Sequence, residues 1–137
     1  MVITLCGSME FADKMLSIGS ILERKGHQVL YPKYTLYFAH QEVNKERKTW
    51  LKKADDLIRA HYWNIKKSEA ILVLNYDKGE HKGWIGANSF LEMGFAHVLG
   101  KRIYLLKPIP RFAYFQEETK AMRLTILNDD LAKIGEN

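Results

Sequence analysis

The apolar run Ala70-Ile71-Leu72-Val73-Leu74 constrains the fold of this chain more than any other segment. A short run that is apolar at every position is typical of a strand buried on both faces, as at the centre of a parallel sheet. Such a sheet carries helices on its faces, because parallel neighbours are joined by crossover connections. The run therefore predicts an α/β protein.

The rest of the chain alternates between short apolar runs and segments with helical spacing. The predicted strands are residues 2–6, 27–31, 70–74, 103–106 and 124–127. The predicted helices are residues 9–25, 45–67, 89–99 and 116–123, with a last helical turn from Asp129 or Asp130. Residues 33–44 are interpreted as a loop or a short helix. This alternation predicts a three-layer α/β/α architecture with a parallel, flavodoxin- or Rossmann-like sheet of about five strands.

The topology also predicts where a ligand binds. In open α/β sheets, ligands bind at the carboxyl ends of the strands, near the point where the strand order reverses. In a 2-1-3-4-5 order that point lies between the first and third strands. Gly7 and Ser8 follow the first strand, and residues 75–92 follow the third. We therefore expect the functional site at these two segments.

Composition narrows the class of protein. The chain has 137 residues and a formal net charge of +5, which suits one domain over residues 1–137 and a small anionic ligand, without predicting nucleic-acid binding. The single Cys6 excludes a disulfide framework and a cysteine-based zinc site, and the histidines show no metal-ligand spacing. No apolar run is long enough for a membrane helix, and the N-terminus lacks the basic region of a secretory signal, so we expect a cytoplasmic protein.

Glu92 is the only acid in the predicted helix 89–99, which is otherwise mostly apolar. A carboxylate among apolar residues is costly unless it is paired or has a function. Two interpretations fit. Ser89 and Glu92 have the spacing of a capping box, in which the glutamate caps the start of its own helix. Alternatively, Glu92 carries out chemistry.

Small residues near both predicted strand ends can hold an anion. Gly7 and Ser8 offer close approach and a hydroxyl, and Gly86, Asn88 and Ser89 lie at a helix start, where free amides attract anions. No Walker or dinucleotide-binding glycine motif is present. An ordinary strand-to-helix turn remains the alternative for Gly7 and Ser8.

Two aromatic residues in predicted loops are candidates for stacking on a nucleobase. Tyr34 and Trp84 lie outside the periodic segments, and flat rings of this kind stack on bases. The alternative for each is core packing.

Several motifs together resemble the nucleoside 2-deoxyribosyltransferase superfamily. They are Cys6-Gly7-Ser8, Ser68-Glu69-Ala70-Ile71, Phe90-Leu91-Glu92-Met93-Gly94-Phe95-Ala96 and Gly100-Lys101. The chain is most similar to the branch of 2'-deoxynucleoside 5'-monophosphate N-glycosidases, in which the first strand also ends in Cys-Gly-Ser. The resemblance covers most of residues 1–107.

The resemblance implies roles for individual residues. The glutamate that matches Glu92 attacks C1' of the sugar and forms a covalent glycosyl-enzyme, which water or a second base resolves. Gly7, Ser8 and Ser89 match positions that meet the sugar or the 5'-phosphate. No metal or organic cofactor is implied. The family also assembles as dimers or larger homo-oligomers, whose sites are completed by a neighbouring subunit.

The chain departs from the family pattern at two positions. His61 stands where the family usually has an aspartate that helps to protonate the leaving base, and Gly86 stands where transferases often have an acid. His61 can serve as a general acid or be a surface residue. Asp77 can supply a carboxylate from the strand end or be a turn residue.

Two function hypotheses follow. The first is an enzyme that hydrolyses or transfers at the N-glycosidic bond of a nucleoside or nucleoside 5'-monophosphate, with Glu92 as nucleophile and His61 or Asp77 assisting the leaving base. The second is a module of the same fold that binds or senses a nucleotide without turnover.

Overall fold

The computed structural model describes residues 1–39, 44–111 and 115–136. Five parallel strands form one sheet in the order β2-β1-β3-β4-β5. The strands are β1 Val2–Cys6, β2 Gln28–Leu30, β3 Ala70–Val73, β4 Arg102–Leu105 and β5 Thr125–Ile126. The predicted α/β fold and strand order are confirmed.

Helices connect the strands and cover both faces of the sheet. They are α1 Ala12–Arg24, α2 Thr35–Phe38, α3 Lys45–Ala54, α4 Leu57–Lys67, α5 Ala87–Val98 and α6 Gln116–Ala121. Within the described ranges, single 3-10 turns also lie at Met9–Phe11 and Leu131–Lys133. No helix of the described ranges has the length and apolar character that a membrane span requires.

Strand β3 shows why the central run had to be apolar throughout. Leu72 and Leu74 pack into the core cluster on the face of α1, whereas Ile71 and Val73 pack with Met93 of α5 on the opposite face. These four side chains are fully or almost fully buried. Alternate side chains of one strand thus complete two cores, as expected for the centre of a three-layer domain.

The predicted helix 45–67 is wrong as a single element, because the chain turns between α3 and α4. Asp56 has a left-handed backbone with φ of 45°, and its side chain caps α4 by accepting a hydrogen bond from the Arg59 amide at 3.2 Å. Aspartate tolerates this conformation better than most residues, and it is a favoured N-cap. The turn allows Lys48 of α3 and His61 of α4 to line the same cavity.

Helix α5 begins earlier than the sequence predicted. Its N-cap is Gly86, and the cap forms no side-chain hydrogen bond. Ser89 therefore lies inside the first turn and Glu92 in the second turn. The capping-box interpretation is wrong, so another reason is needed for a carboxyl group at position 92.

Candidate functional site

A cavity of about 260 Å³ lies at the carboxyl ends of β1 and β3. This is the point where the strand order reverses, and it is the position that the topology predicted. Eight of the ten predicted site residues line it: Gly7, Ser8, His61, Trp84, Gly86, Asn88, Ser89 and Glu92. The other two, Tyr34 and Asp77, do not.

Tyr34 and Asp77 are occupied elsewhere. The Tyr34 hydroxyl donates a hydrogen bond to Asp55, and its ring meets Tyr37 edge to face. Asp77 is half exposed and accepts hydrogen bonds from the Gly83 amide at 2.9 Å and from the Lys82 ammonium at 3.2 Å. The Gly83 hydrogen bond, followed by that from Lys82, lowers the Asp77 pKa. Asp77 therefore holds its own loop together, and the structure does not bring it to Glu92.

Glu92, His61 and Cys6 meet beneath the cavity. Glu92 Oε2 lies 3.7 Å from His61 Nε2, and Cys6 Sγ lies 3.6 Å from the same nitrogen. Cys6 is fully buried and His61 is 4% exposed, whereas the Glu92 side chain reaches the cavity with 13% exposure. The surface interpretation of His61 is wrong: Glu92 has a buried imidazole and a buried thiol beside it.

The hydrogen bonds fix the tautomer of His61. The Leu5 carbonyl oxygen lies 3.0 Å from Nε2 and can only accept, so Nε2 carries the proton and donates it. On the other side of the ring, the Asn64 amide nitrogen donates to Nδ1 at 3.4 Å. Burial lowers the pKa of His61 to about 4. The imidazole is therefore neutral at physiological pH, with both nitrogens engaged.

The carboxyl group of Glu92 is held in a site that disfavours its charged form. Burial raises the pKa of Glu92 to about 8, opposed by a hydrogen bond from the Cys6 thiol and by the positive charge of Lys52. Burial also raises the pKa of the Cys6 thiol, and Glu92 raises it further. A carboxyl group with its pKa near neutrality in a cavity is a common signature of acid–base or nucleophilic chemistry.

Four lysines surround the cavity. Lys33 forms an ion pair with Asp55 at 3.8 Å, and Lys78 forms one with Glu10 at 3.2 Å. In each pair the carboxylate offsets the charge of the lysine, so these two lysines add little net charge to the cavity.

Lys48 and Lys52 are different, because neither forms an ion pair within the described parts of the chain. Burial and the charges of Lys52 and Lys78 lower the pKa of Lys48. A bound anion would relieve this repulsion. The sequence missed both lysines, since the basic residues of 45–67 were interpreted as a solvated face and the turn at Asp56 was not predicted.

The turns that were predicted to cradle an anion have mixed roles. A Cβ atom at Gly7 would lie 3.0 Å from Met15 Cε and 3.3 Å from the Leu74 carbonyl oxygen, so close packing favours glycine there whether or not a ligand binds. Ser8 caps the following turn by accepting a hydrogen bond from the Glu10 amide at 3.3 Å. The start of α5 at Gly86 has no side-chain cap, and its first amides remain available to a ligand.

The structure groups possible metal ligands where the sequence predicted no metal site, because that prediction considered only sets of cysteines and the spacing of the histidines. Sγ of Cys6, an imidazole nitrogen of His61 and a carboxylate oxygen of Glu92 all lie within 4.8 Å of one another. No sequence motif reveals this group, because its members come from β1, α4 and α5.

Two solved structures share this fold. The CMP N-glycosidase of Clostridium botulinum superposes with a TM-score of 0.56 and 16% identity over 92% of this chain and 88% of that chain. The 2-deoxyribosyltransferase of Bacillus psychrosaccharolyticus superposes with a TM-score of 0.55 and 18% identity over 84% of this chain and 78% of that chain. No family model and no curated protein sequence matches. The fold is that of the N-glycosidase and deoxyribosyltransferase structures, as the sequence resemblance predicted.

Proposed function

We propose that this protein cleaves the N-glycosidic bond of a nucleoside 5'-monophosphate through a covalent intermediate on Glu92. The observation that carries the proposal is the carboxyl group of Glu92. It lines the cavity at the carboxyl ends of β1 and β3, beside a buried neutral imidazole, with its pKa raised to about 8. Two structures that share the fold are an N-glycosidase and a deoxyribosyltransferase, which supports this class of reaction.

The proposed reaction is attack by the Glu92 carboxylate on C1' of the sugar, a carbon bonded to both the ring oxygen and the base nitrogen. A Glu92 oxygen forms a bond to C1' as the bond from C1' to the base nitrogen breaks, and the base leaves with the electron pair of that bond and takes up a proton from water. Water then attacks C1', releases the sugar phosphate and restores Glu92. If a second base attacks instead, the same intermediate gives transfer.

His61 is suited to position Glu92 rather than to protonate the base. Its pKa is lowered to about 4, and its Nε2 proton is held by the Leu5 carbonyl oxygen. The edge of the neutral ring lies 3.7 Å from Glu92 Oε2, so it packs against the carboxyl group without donating a hydrogen bond to it. We propose that this edge orients the carboxylate toward C1', and that Asp77 takes no part.

Two charges favour a phosphate monoester over a free nucleoside. Lys48 and Lys52 carry positive charge into the cavity without an ion-pair partner among the described residues. A phosphate monoester dianion would balance these two charges, and the uncapped start of α5 adds backbone donors. Trp84, on the cavity wall, is our candidate for stacking on the base.

The second candidate is nucleotide binding without turnover. It is favoured by one observation, namely that burial keeps Glu92 mostly protonated at neutral pH when the cavity is empty. A bound phosphate does not by itself restore the carboxylate, because it adds negative charge nearby.

One assay separates the two candidates. The protein is incubated with a panel of nucleosides and their 5'-monophosphates, and free base is measured by chromatography, with Glu92→Gln as the matched control. The proposal predicts base release from a 5'-monophosphate by the parent protein and none above background by the control. Binding of a nucleotide without base release supports the second candidate. Adding a second base distinguishes transfer from hydrolysis.

We also propose that the protein forms a homodimer or a larger homo-oligomer. Trp63 of α4 and Leu91 and Val98 of α5 are exposed by 49%, 47% and 84%. Large apolar side chains on adjacent helices are typical of subunit contacts. Light scattering at micromolar concentration should give at least twice the monomer mass, and a monomeric mass would contradict the proposal.

A further inference from the structure

Cys6, His61 and Glu92 offer three different metal-binding groups at one point. A thiol, an imidazole and a carboxyl group form a mixed set that zinc accepts, and zinc sites commonly leave one position for water or substrate. Each group comes from a different element of the described fold, so the arrangement exists only in the folded chain. We propose that this triad is a binding site for Zn²⁺ or a similar divalent transition-metal ion.

Two of the three distances between the ligand atoms are close to those of a tetrahedral centre, and the third pair, Cys6 Sγ and a Glu92 oxygen, lies within 4.8 Å. With zinc bonds of about 2.3 Å to sulfur and about 2.0–2.1 Å to nitrogen or oxygen, tetrahedral angles place S and N about 3.5 Å apart and N and O about 3.4 Å apart. The structure has Cys6 Sγ 3.6 Å and Glu92 Oε2 3.7 Å from His61 Nε2. These two pairs are therefore within a few tenths of an ångström of coordination distance, and binding also requires the imidazole ring to turn away from the Leu5 carbonyl oxygen, which lies 3.0 Å from Nε2.

Charge balance favours the ion in this buried position. A thiolate at Cys6 and a carboxylate at Glu92 supply two negative charges, which neutralise a divalent cation. An isolated charge at either residue would be costly there, since Cys6 is fully buried and the Glu92 side chain is 13% exposed. Glu92 also lines the cavity, which gives the ion a route from solvent.

Binding requires defined proton movements. The thiol proton of Cys6, and the carboxyl proton of Glu92 when it is present, leave to solvent. His61 must free Nε2, which now donates to the Leu5 carbonyl oxygen, so its proton moves to Nδ1. The Asn64 amide then turns so that its oxygen accepts from Nδ1, and its nitrogen gives up the hydrogen bond that it donates to the Tyr31 carbonyl oxygen at 3.2 Å. No electron is transferred, and the fourth ligand is water.

The ion would block the reaction proposed above. A Glu92 oxygen that is bonded to zinc has lost its free lone pair for attack on C1', so the metal and the nucleotide compete for the same residue. This consequence rests on the proposed function, whereas the metal site itself does not.

Cobalt(II) provides a spectroscopic test, because Cys6 is the only cysteine in the chain. Any thiolate-to-cobalt charge-transfer band must come from this residue, and intense visible bands report tetrahedral geometry. Adding Co²⁺ to the purified protein should produce both, and equimolar Zn²⁺ should remove both by displacement. If saturating Co²⁺ gives neither band with the folded protein, the proposal is wrong.

Variants identify the remaining ligands. Cys6→Ser should abolish the charge-transfer band, and His61→Ala and Glu92→Gln should each weaken Zn²⁺ binding by roughly 100-fold in calorimetry. The matched control is His97→Ala, an exposed histidine at the end of α5, which should bind as the parent does. Circular dichroism establishes that each variant is folded. Unchanged Zn²⁺ affinity in folded His61→Ala and Glu92→Gln would overturn the assignment.

The test separates this proposal from the proposed function. The cobalt spectrum needs no turnover, so bands without base release from any nucleotide would leave the metal site standing and refute the enzyme. Base release without cobalt bands would do the reverse. If both hold, micromolar Zn²⁺ should inhibit base release, and a chelator should restore it.

Discussion

Two regions at the carboxyl edge of the sheet contain buried polar groups, and we propose a catalytic role for only one of them. Between β3 and β4, Asn75 is fully buried. Its Oδ1 accepts from the Lys107 amide at 2.8 Å, and its Nδ2 donates to the carbonyl oxygens of Lys107 and Pro108 at 3.1 and 3.2 Å. Local partners thus use the donors and acceptors of this amide, and its role is to join two loops.

Between β1 and β3, Glu92 is nearly as buried and lacks such partners. Its neighbours are a thiol and a neutral imidazole, neither of which compensates a full negative charge. The carboxyl group faces a cavity whose Lys48 and Lys52 form no ion pair in the described segments. A buried polar group whose hydrogen bonds are all made locally, such as Asn75, is explained by structure alone. A buried carboxyl group whose neighbours do not compensate its negative charge, such as Glu92, indicates function.

The largest expected effect is the difference in the rate of base release between a substitution at Glu92 and one at Asp77. Replacing the nucleophile by Glu92→Gln should lower base release from a 5'-monophosphate by at least about 1,000-fold, since the covalent step is lost. Asp77→Asn keeps the Gly83 hydrogen bond and should change the rate by less than about threefold. Chromatography of released base measures both. A large loss in Asp77→Asn with an intact fold would remove the distinction between the two carboxylates.

A substitution at Asn75, between β3 and β4, should lower the stability of the fold rather than the rate of base release. Asn75→Ala leaves the Lys107 amide and two carbonyl oxygens without their partner, so the free energy of unfolding should fall by about 2–3 kcal/mol. The folded fraction should still release base within about twofold of the parent rate. Denaturant unfolding and single-temperature kinetics test this, and a selective loss of rate would show that Asn75 belongs to the site.

The cavity lysines should control affinity for the phosphate. Replacing both Lys48 and Lys52 by Met should raise KM for a 5'-monophosphate by roughly 10- to 30-fold, because each charged hydrogen bond contributes about 1 kcal/mol or more. Binding of the corresponding nucleoside should be unchanged. Lys67→Met, an exposed lysine at the end of α4, is the matched control. Equal losses for nucleoside and nucleotide would place the phosphate elsewhere.

The raised pKa of Glu92 predicts the pH profile. Because the carboxylate is the reactive form and its pKa is about 8, kcat/KM should rise with pH up to about that value. Lys52→Met removes a charge that lowers this pKa, so the rising limb should move to higher pH. Rates from pH 5 to 9 test both statements. A flat profile over this range would exclude Glu92 as the titrating group.

The smallest effect concerns stability against pH. The pKa of Glu92 is about 8 in the folded chain against an ordinary value of 4.5, so its contribution is complete below 4.5 and is lost as pH rises through 8. Glu92→Gln cannot ionise and escapes this loss. It should therefore melt higher than the parent at pH 8.5, and the difference should shrink toward pH 5. A constant difference would contradict the raised pKa.

Sequence alone predicted the sheet and most of the cavity wall, for physical reasons. The Ala70–Leu74 run fixes a strand buried on both faces, and the strand order then fixes which turns meet at the carboxyl edge. Gly7, Ser8, Gly86 and Glu92 were located in this way.

The rest of the site depends on contacts that no local pattern encodes. The turn at Asp56 needs a left-handed non-glycine residue, which periodicity does not reveal, and without it Lys48 and Lys52 remain on a solvated helix. The burial of His61 against Cys6 likewise joins α4 to β1 across 55 residues of chain. Tyr34 was misplaced for the same reason, because its hydrogen bond to Asp55 depends on that turn.

The central claim is that Glu92 forms a bond to the sugar, and trapping that bond tests it most directly. The protein is incubated with a nucleoside 5'-monophosphate that carries fluorine at C2', which slows breakdown of a glycosyl-enzyme, then quenched in acid and mapped by mass spectrometry. The account predicts one adduct of the fluorinated sugar phosphate, on Glu92, and none in Glu92→Gln. An adduct on another residue, or base release without any adduct and undiminished in Glu92→Gln, would contradict it.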